Sequence, residues 1–257
     1  MVTIKSKREI ELMRQVCKVV ALTYEELEKN IKPGMTTYEL DKLAEKTMRS
    51  LGATPAQIGY DPGIRGVPKF PAATCVSVND EVVHGIPSNR KLKKGDIITI
   101  DMVIGYKGYQ GDAAWTYKVG DVSKEKEYLM EHTEKALYEG IKMVKPGARV
   151  GDISAAVEKY ARSHNLGIVK ELCGHGIGTD MHEDPNVPNY GASGTGPILK
   201  AGMVICIEPM LNLGTDDIYE EDDGWTIRTE DGKSAAHYEH TVLITKDGYE
   251  ILTPRLD

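Results

Sequence analysis

Five residues between positions 101 and 239 have the side chains that a metal centre requires: Asp101, Asp112, His175, Glu208 and Glu239. Four carboxylates and one imidazole suit hard or borderline divalent cations such as Mn, Fe, Co or Zn. Two such ions roughly 3.5–4 Å apart, bridged by carboxylates, are a common arrangement in hydrolases. The chain contains neither the oxygen-rich loop of about twelve residues that binds calcium nor a His-Glu-x-x-His zinc motif. The five residues therefore predict a two-metal centre.

Asp101 and Glu208 end two segments that resemble each other. Residues 92–101 and 199–208 both read Leu-Lys-x-Gly-x-[Ile/Val]-Ile-x-Ile-[Asp/Glu], a turn followed by a short apolar strand. Burying the charge of an acid that follows such a strand costs folding free energy if the carboxylate has no partner. One acid alone is as readily explained as a strand end that reaches solvent, but the repeated pattern favours two acids that face each other across a pseudo-two-fold axis.

Asp112 and His175 have settings that fit the same site. A turn at Gly105 to Gly108 predicts a hairpin over 96–119, which would place Asp101 and Asp112 opposite each other on paired strands. Carboxylates that close repel each other unless a cation lies between them. His175 stands between two glycines, which let backbone or ligand approach closely.

The segments that precede the two strands are also similar. Residues 31–40 and 144–153 each begin with an apolar residue followed by Lys-Pro-Gly, a turn signal, and an apolar pattern at helical spacing flanks each turn. Each half is therefore predicted to contain two helices joined by a turn. The sequence predicts one domain over 1–257, with halves of about 1–120 and 121–257.

Caps and apolar runs give the individual elements. Ser6 is predicted to cap a helix running to about Lys29, and Ser123 a helix running to about Met143. Strands are predicted at 74–79, 96–104, 110–119, 203–213 and 238–245. This mixture indicates an α+β domain whose site lies at the pseudo-two-fold axis.

Loop histidines are further candidates for chemistry. His84 falls between a strand and a turn, and His182 falls at the start of the Pro- and Gly-rich connection 180–198, which is long enough to suggest function. A structural or solvated histidine is the default alternative for both. His240 is next to Glu239, and we expect it to support that acid.

Composition and charge exclude several classes of function. The net charge of −7 argues against a nucleic-acid-binding surface. No apolar run is long enough to span a membrane, and the N-terminal residues lack the pattern of a signal peptide. The four cysteines are scattered and are expected to be reduced in a cytoplasmic protein. The acidic run 220–223 is predicted to be a solvated loop.

Taken together, these motifs resemble those of type I methionine aminopeptidases, and the resemblance covers nearly the whole chain. It rests on Asn79-Asp80-Glu81-Val82-Val83-His84-Gly85-Ile86-Pro87, on Asp101 and Asp112, on Gly174-His175-Gly176-Ile177-Gly178, on Ile207-Glu208-Pro209-Met210, and on Tyr238-Glu239-His240-Thr241. The resemblance implies the duplicated pita-bread fold of creatinases and aminopeptidases, an α+β domain with a pseudo-two-fold axis and a central antiparallel sheet.

The resemblance also implies an activity and its cofactors. The activity is removal of the initiator methionine from nascent chains with a small second residue, by a hydroxide that bridges two divalent ions (Co, Mn, Fe, Zn or Ni). The five residues named first would bind the ions, with Glu208 also the general base. His182 would stabilise the tetrahedral intermediate, and His84 would contact the substrate. We expect a cytoplasmic monomer that meets nascent polypeptides and transiently the ribosome, without binding DNA or membranes.

By position, the methionine pocket would be lined by Tyr60, Phe70, Cys75, Met181 and Trp225. Ordinary core packing is the alternative for these residues. The segment 61–69 is longer than is usual in bacterial members, so the resemblance does not extend to the rim of the pocket. Two other functions stay open: an X-Pro aminopeptidase or prolidase-like enzyme, and an inactive pita-bread module that binds proteins.

Overall fold

The computed structural model describes residues 2–255. Its helices are α1 (Lys7–Glu28), α2 (Thr37–Ser50), α3 (Lys124–Ile141) and α4 (Val150–Ser163). Ser6 caps α1 through a reciprocal capping box with Glu9, and the Ser123 hydroxyl accepts from the Lys126 backbone N–H at the start of α3. Both predicted helix starts are confirmed.

The strands are short except for one long hairpin. They are β1 (Thr54–Pro55), β2 (Cys75–Val78), β3 (Glu81–Val83), β4 (Ile97–Tyr106), β5 (Tyr109–Lys118), β6 (Gly167–Ile168), β7 (Cys173–Gly176), β8 (Glu183–Pro188), β9 (Val204–Ile207), β10 (Met210–Asn212), β11 (Ile218–Glu220), β12 (Ile227–Thr229), β13 (Ala235–His237), β14 (Glu239–Ile244) and β15 (Tyr249–Ile251).

A nine-stranded sheet organises the molecule. Its order is β1-β4-β5-β14-β9-β7-β8, with β2 also paired to β4 and β15 to β14. Every strand pairing within residues 2–255 is antiparallel, so the predicted α+β class with a central antiparallel sheet is confirmed. Helix α1 packs on β4 and β5.

The two Pro-Gly turns make the same contacts. The Gly34 N–H donates to the Leu92 carbonyl at 2.8 Å, and the Gly147 N–H donates to the Leu199 carbonyl at 3.0 Å. Both glycines have φ near +90°, a conformation that residues with a Cβ rarely adopt. Each turn therefore ties a helix pair to the start of the apolar strand in its own half. The division at about residue 120 stays a prediction.

The β4–β5 hairpin differs in detail from the prediction. Its two-residue turn is Lys107-Gly108, both with positive φ, so the two strands run closer to the turn than expected. In this register Asp112 lies opposite Val103, and Asp101 lies opposite Ala114. The two acids are therefore diagonal neighbours on one face rather than directly opposite. The expectation that the first strand ends on Asp101 is also wrong, because β4 continues beyond it.

The predicted strand 203–213 is interrupted at the acid. β9 ends at Ile207 and β10 begins at Met210, so Glu208 lies in the break, next to Pro209, which cannot donate a ladder hydrogen bond. β10 belongs to a separate three-stranded sheet with β13 and β6. Glu208 is thereby released from the strand and points into the cavity described next. Within residues 2–255, no helix is both long and apolar enough to cross a membrane.

Candidate metal centre

The five predicted metal ligands line one cavity of about 80 Å³. They come from different parts of the fold: Asp101 from β4, Asp112 from β5, His175 from β7, Glu208 from the β9–β10 break and Glu239 from the start of β14. Because β4, β5, β14, β9 and β7 are consecutive in the sheet, their polar side chains converge on one stretch of its face.

His175 is held with one ring nitrogen directed at the acids. Its Nε2 lies 3.7 Å from Asp112 Oδ2 and 3.6 Å from Glu208 Oε1, and its Nδ1 lies 2.9 Å from the Gly176 carbonyl oxygen. A proton on Nδ1, donated to that carbonyl, leaves the Nε2 lone pair free for a cation. Burial lowers the pKa of His175 to about 4, so the ring is neutral at ordinary pH.

Glycines on both sides of His175 allow its strand to fit between two others. A Cβ on Gly174 would collide with the Cys206 carbonyl on β9, and one on Gly176 would collide with the Asp184 carbonyl on β8. The close approach expected from the sequence is therefore real, and it is an approach of backbone to backbone.

The carboxylates lack the partners that buried charges require. Burial, followed by the charges of Glu239 and Asp101, raises the pKa of Asp112 well above its usual value, and burial raises that of Asp101 to about 7. Burial first also raises the pKa values of Glu208 and Glu239. Asp112 Oδ1 and Glu239 Oε1 are buried without a hydrogen-bond partner among the described residues.

No lysine or arginine within residues 2–255 lines this cavity. A site with converging acids, a neutral imidazole and orphaned carboxylate oxygens fits a divalent cation, which would remove the mutual repulsion of the acids. The expectation that the chain binds divalent metal is therefore supported, while the number and identity of the ions stay predictions.

Cys206 was not among the predicted ligands. Its Sγ lies within a group of potential ligand atoms, from Asp112, His175, Cys206 and Glu239, that are all within 4.8 Å of one another. Burial raises the pKa of this thiol well above its usual value, and Cys206 is absent from the cavity wall, which Asp101 and Glu208 do line. The thiol therefore lies behind the carboxylates rather than facing the cavity.

Both loop histidines border the site. His84 follows β3 with a φ of 59°, which turns its ring toward Trp225 at a centroid distance of 6.2 Å. The His182 ring lies 4.5 Å from the His175 ring, and its Nδ1 lies 3.2 Å from the Tyr60 hydroxyl. Burial lowers the pKa of His84 to about 4, so its ring is neutral and can donate through one nitrogen.

Sequence reasoning missed His237 and assigned a wrong role to His240. His237 Nε2 lies 3.6 Å from Glu208 Oε2, and the residue is buried at the end of β13. His240 instead points away from the site, with its ring nitrogens 3.3 Å from the Tyr138 hydroxyl and 3.1 Å from the Thr253 hydroxyl. The expected support of Glu239 by His240 is therefore wrong, because adjacent residues of a strand face opposite sides.

The predicted methionine pocket is a cluster beside the acids. Phe70, Cys75 and Trp225 are buried together, with Tyr60 partly buried against them, and all four line the cavity with Met181. The Phe70 and Trp225 rings meet edge to face at 5.1 Å. Gln57, which sequence reasoning did not single out, also lines this cavity, and its side-chain amide reaches Cys75 Sγ at 3.4 Å.

A second cavity, the outer cleft, has a volume of about 370 Å³ and adjoins the metal centre, with which it shares His84, His182 and Glu208.

The acidic run 220–223 borders the outer cleft, because Glu220 ends β11 and lines the wall. The run is thus only partly the solvated loop expected from the sequence: Glu221 pairs with Arg228, and Asp223 accepts hydrogen bonds from the Trp225 and Thr226 backbone N–H groups.

Comparison with known proteins agrees with this geometry. Metallopeptidase family M24 matches residues 11–246. Methionine aminopeptidase 1 of Bacillus subtilis is 49% identical over 253 residues, covering 98% of this chain and 99% of the relative. The methionine aminopeptidase of Clostridium acetobutylicum is 46% identical over 254 residues, again covering 98% and 99% of the two chains.

Solved structures give the same result. The crystal structure of methionine aminopeptidase from Rickettsia prowazekii superposes with a TM-score of 0.95 at 40% identity, covering 99% of this chain and 100% of that one. The prolidase of Pyrococcus horikoshii superposes with a TM-score of 0.78 at 23% identity, and the match spans 98% of this chain but 64% of the prolidase. That second likeness concerns the fold alone and does not favour the X-Pro alternative.

Proposed function

This chain belongs to metallopeptidase family M24, among its methionine aminopeptidases, and from that membership we propose that it removes N-terminal methionine from peptides and nascent proteins whose second residue is small. The observation that supports this most is the convergence of four acids and a neutral imidazole beside a buried apolar cluster. Its aromatic and thiol side chains are of a character to take an unbranched thioether side chain.

We assign metal binding to Asp101, Asp112, His175, Glu208 and Glu239, which together would hold two divalent ions. Bound ions would act as Lewis acids on the substrate carbonyl and lower the pKa of a water molecule. The protein's contribution is to keep these side chains converged and His175 in the tautomer that offers Nε2. Within the described residues, the orphaned oxygens of Asp112 and Glu239 support this assignment.

Glu208 is the proposed general base. It lies at the junction of the inner cavity and the outer cleft, where the scissile bond would be, and its carboxylate is within 3.6 Å of both His175 and His237. From this position the carboxylate would take a proton from a water molecule and return it to the leaving amine.

His84 and His182 are the proposed donors to the substrate amide and to the developing oxyanion. Both residues line the inner cavity and the outer cleft, which supports two separate contacts with the substrate. His182 is oriented by the Tyr60 hydroxyl and His84 by its packing against Trp225. Hydrogen bonds that strengthen as negative charge develops would favour the transition state over the bound substrate.

Phe70, Cys75, Trp225, Tyr60 and Met181 are the proposed methionine pocket. Phe70, Cys75 and Trp225 are buried against one another with Tyr60 packed beside them, and Met181 lines the same cavity, which supports an apolar slot. The neighbouring acids support binding of the free α-amine through the metal site. A slot that receives one side chain next to an amine-binding site would admit only the terminal residue. We further propose that the enzyme acts as a cytoplasmic monomer with transient contact to the ribosome.

The deciding experiment measures methionine release from Met-Ala-Ser after reloading metal-free protein with Mn²⁺, Fe²⁺ or Co²⁺. We expect release with at least one ion and none from an Ala-Pro peptide. A Glu208→Gln variant should lose about 100-fold or more in kcat, the usual contribution of a general base. Exclusive cleavage of X-Pro bonds would contradict the proposal, and near-normal turnover by Glu208→Gln would remove that residue from the base role.

A further inference from the structure

The loop 61–69 bounds the outer cleft with apolar side chains. Pro62, Ile64 and Val67 line the cleft, yet the Ile64 side chain remains open to solvent, with 62% of its surface exposed. Isolated exposed apolar residues are ordinary on protein surfaces. Ile64, however, borders a cleft that Glu208 and His182 also line, which places it beside the path of the substrate to these residues.

The base of this loop is fixed although its tip is exposed. Backbone N–H groups of Gly59 and Phe70 donate to the Phe70 and Tyr60 carbonyls at 2.8 and 2.9 Å, which closes the loop at its root. The Trp225 indole N–H donates to the Pro68 carbonyl at 2.8 Å. The loop is therefore attached to the same tryptophan that lines the methionine pocket, so the two lie on one side of the cleft.

This placement determines which substrate residue meets the loop. In an extended chain, side chains alternate between opposite sides and residues advance by about 3.3 Å, so the first and third side chains point the same way, roughly 7 Å apart. With methionine beside Trp225, the second side chain points away from the loop and the third points toward it. The outer cleft, about 370 Å³ in volume, has room for that third side chain.

We propose that the loop 61–69 is a specificity element that binds the side chain of the third substrate residue, with Ile64 as its main contact and a preference for apolar residues. This inference rests on the proposed methionine aminopeptidase activity. It assigns to the loop a selectivity that is separate from the requirement for methionine and for a small second residue.

The experiment compares kcat/KM for Met-Ala-Leu-Gly, Met-Ala-Gly-Gly and Met-Ala-Gly-Leu. We expect the first peptide to exceed the second by about fivefold, the effect of half-burying a leucine side chain. Leucine at the fourth position should give no gain. In Ile64→Ser the Leu-to-Gly ratio at the third position should fall toward one.

Ile198→Ser is the matched control, because Ile198 is also exposed, at 45%, but does not line the cleft. It should keep the wild-type ratio. Equal kcat/KM values for the first two peptides, or an unchanged ratio in Ile64→Ser, would overturn the proposal while leaving methionine removal intact. Failure to release methionine from all three peptides would instead overturn the proposed function and this inference with it.

Discussion

Metal binding by this protein should weaken as the pH falls, because protons and metal compete for the same buried acids. Burial raises the pKa of Asp101 to about 7, and burial together with neighbouring charges raises that of Asp112 further above its ordinary range. At pH 6 the Asp101 carboxyl is therefore about nine-tenths protonated in the metal-free protein, and a metal ion must displace that proton. Burial lowers the pKa of His175 to about 4, so its imidazole is already neutral and releases none.

The magnitude follows from proton linkage. Each displaced proton weakens the apparent affinity about tenfold per pH unit below the pKa of the group. One proton from Asp101 alone gives an increase in apparent Kd of about 50-fold between pH 7 and pH 5, because half of the Asp101 carboxyl groups are already protonated at pH 7. Protons from the other buried acids would make the dependence steeper. Raising the pH has the opposite effect: the apparent Kd for the metal falls until the acids are fully ionised.

Titration calorimetry with Mn²⁺ tests this expectation. At pH 6, the binding enthalpy in two buffers of different ionisation enthalpy gives the number of protons released, which should be at least one. Asp101→Asn should lower both the affinity and the proton count, whereas Asp247→Asn, a surface control distant from the cavity lining, should change neither. Zero proton release at pH 6, or an affinity that is constant between pH 7 and pH 5, would refute the reasoning.

Three other substitutions test separate parts of the site. Cys206→Ser should leave the metal stoichiometry of the Co²⁺-loaded protein unchanged in spectroscopic titration, because the protonated thiol lies behind the cavity wall. Lys5→Met should lower the free energy of unfolding in urea by about 3–5 kcal/mol, because it leaves the buried Glu183 carboxylate, 2.5 Å from Lys5 Nζ, without its cation. Trp225→Ala should raise KM for Met-Ala-Ser at least about tenfold in steady-state assays, because the Phe70 ring loses its partner and the slot widens.

The convergence of Asp101 and Glu208 on one cavity was predictable because acids that follow apolar runs violate a simple energetic expectation. Asp101 and Glu208 follow runs of β-branched residues that must be buried, and only a cation or solvent removes the cost of their charge. The structure brings both to one cavity wall with Asp112. The sequence could not give the register of the hairpin, because Gly105 and Gly108 offered several turn positions, and a shift of the turn changes every pairing along both strands.

The histidines show a second limit of sequence reasoning. His237 and His240 stand three residues apart, and their types gave no reason to separate them. In the structure β13 ends at His237 and β14 begins at Glu239, so the two histidines lie in strands of different sheets. Alternation along β14 turns His240 away from the site, while the break between the strands leaves His237 at the end of β13 beside Glu208, and a single sequence does not locate such a break.

The backbone that carries the acids is held in place by hydrogen bonds that do not involve their carboxylate groups. Beyond the pairing of Glu239 with Ala114 and of His240 with Ala113, β14 and β5 are joined by a side chain. The Thr241 hydroxyl donates to the Asp112 carbonyl at 2.7 Å and accepts from the Asp112 N–H at 3.3 Å.

The Thr116 hydroxyl makes the equivalent link to His237 at the other end of the pairing: it donates to the His237 carbonyl at 2.8 Å and accepts from the His237 N–H at 3.1 Å. From the opposite face, the Tyr24 hydroxyl lies within hydrogen-bond distance of the Ile100 and Ala113 carbonyls, on β4 and β5. Backbone fixed in this way keeps the carboxylates converged whether or not a cation is bound. The site is therefore preorganised for metal, and its convergence raises the pKa values of the carboxyl groups. Because of these raised pKa values, protons compete with the metal, and the calorimetric experiment should detect their release.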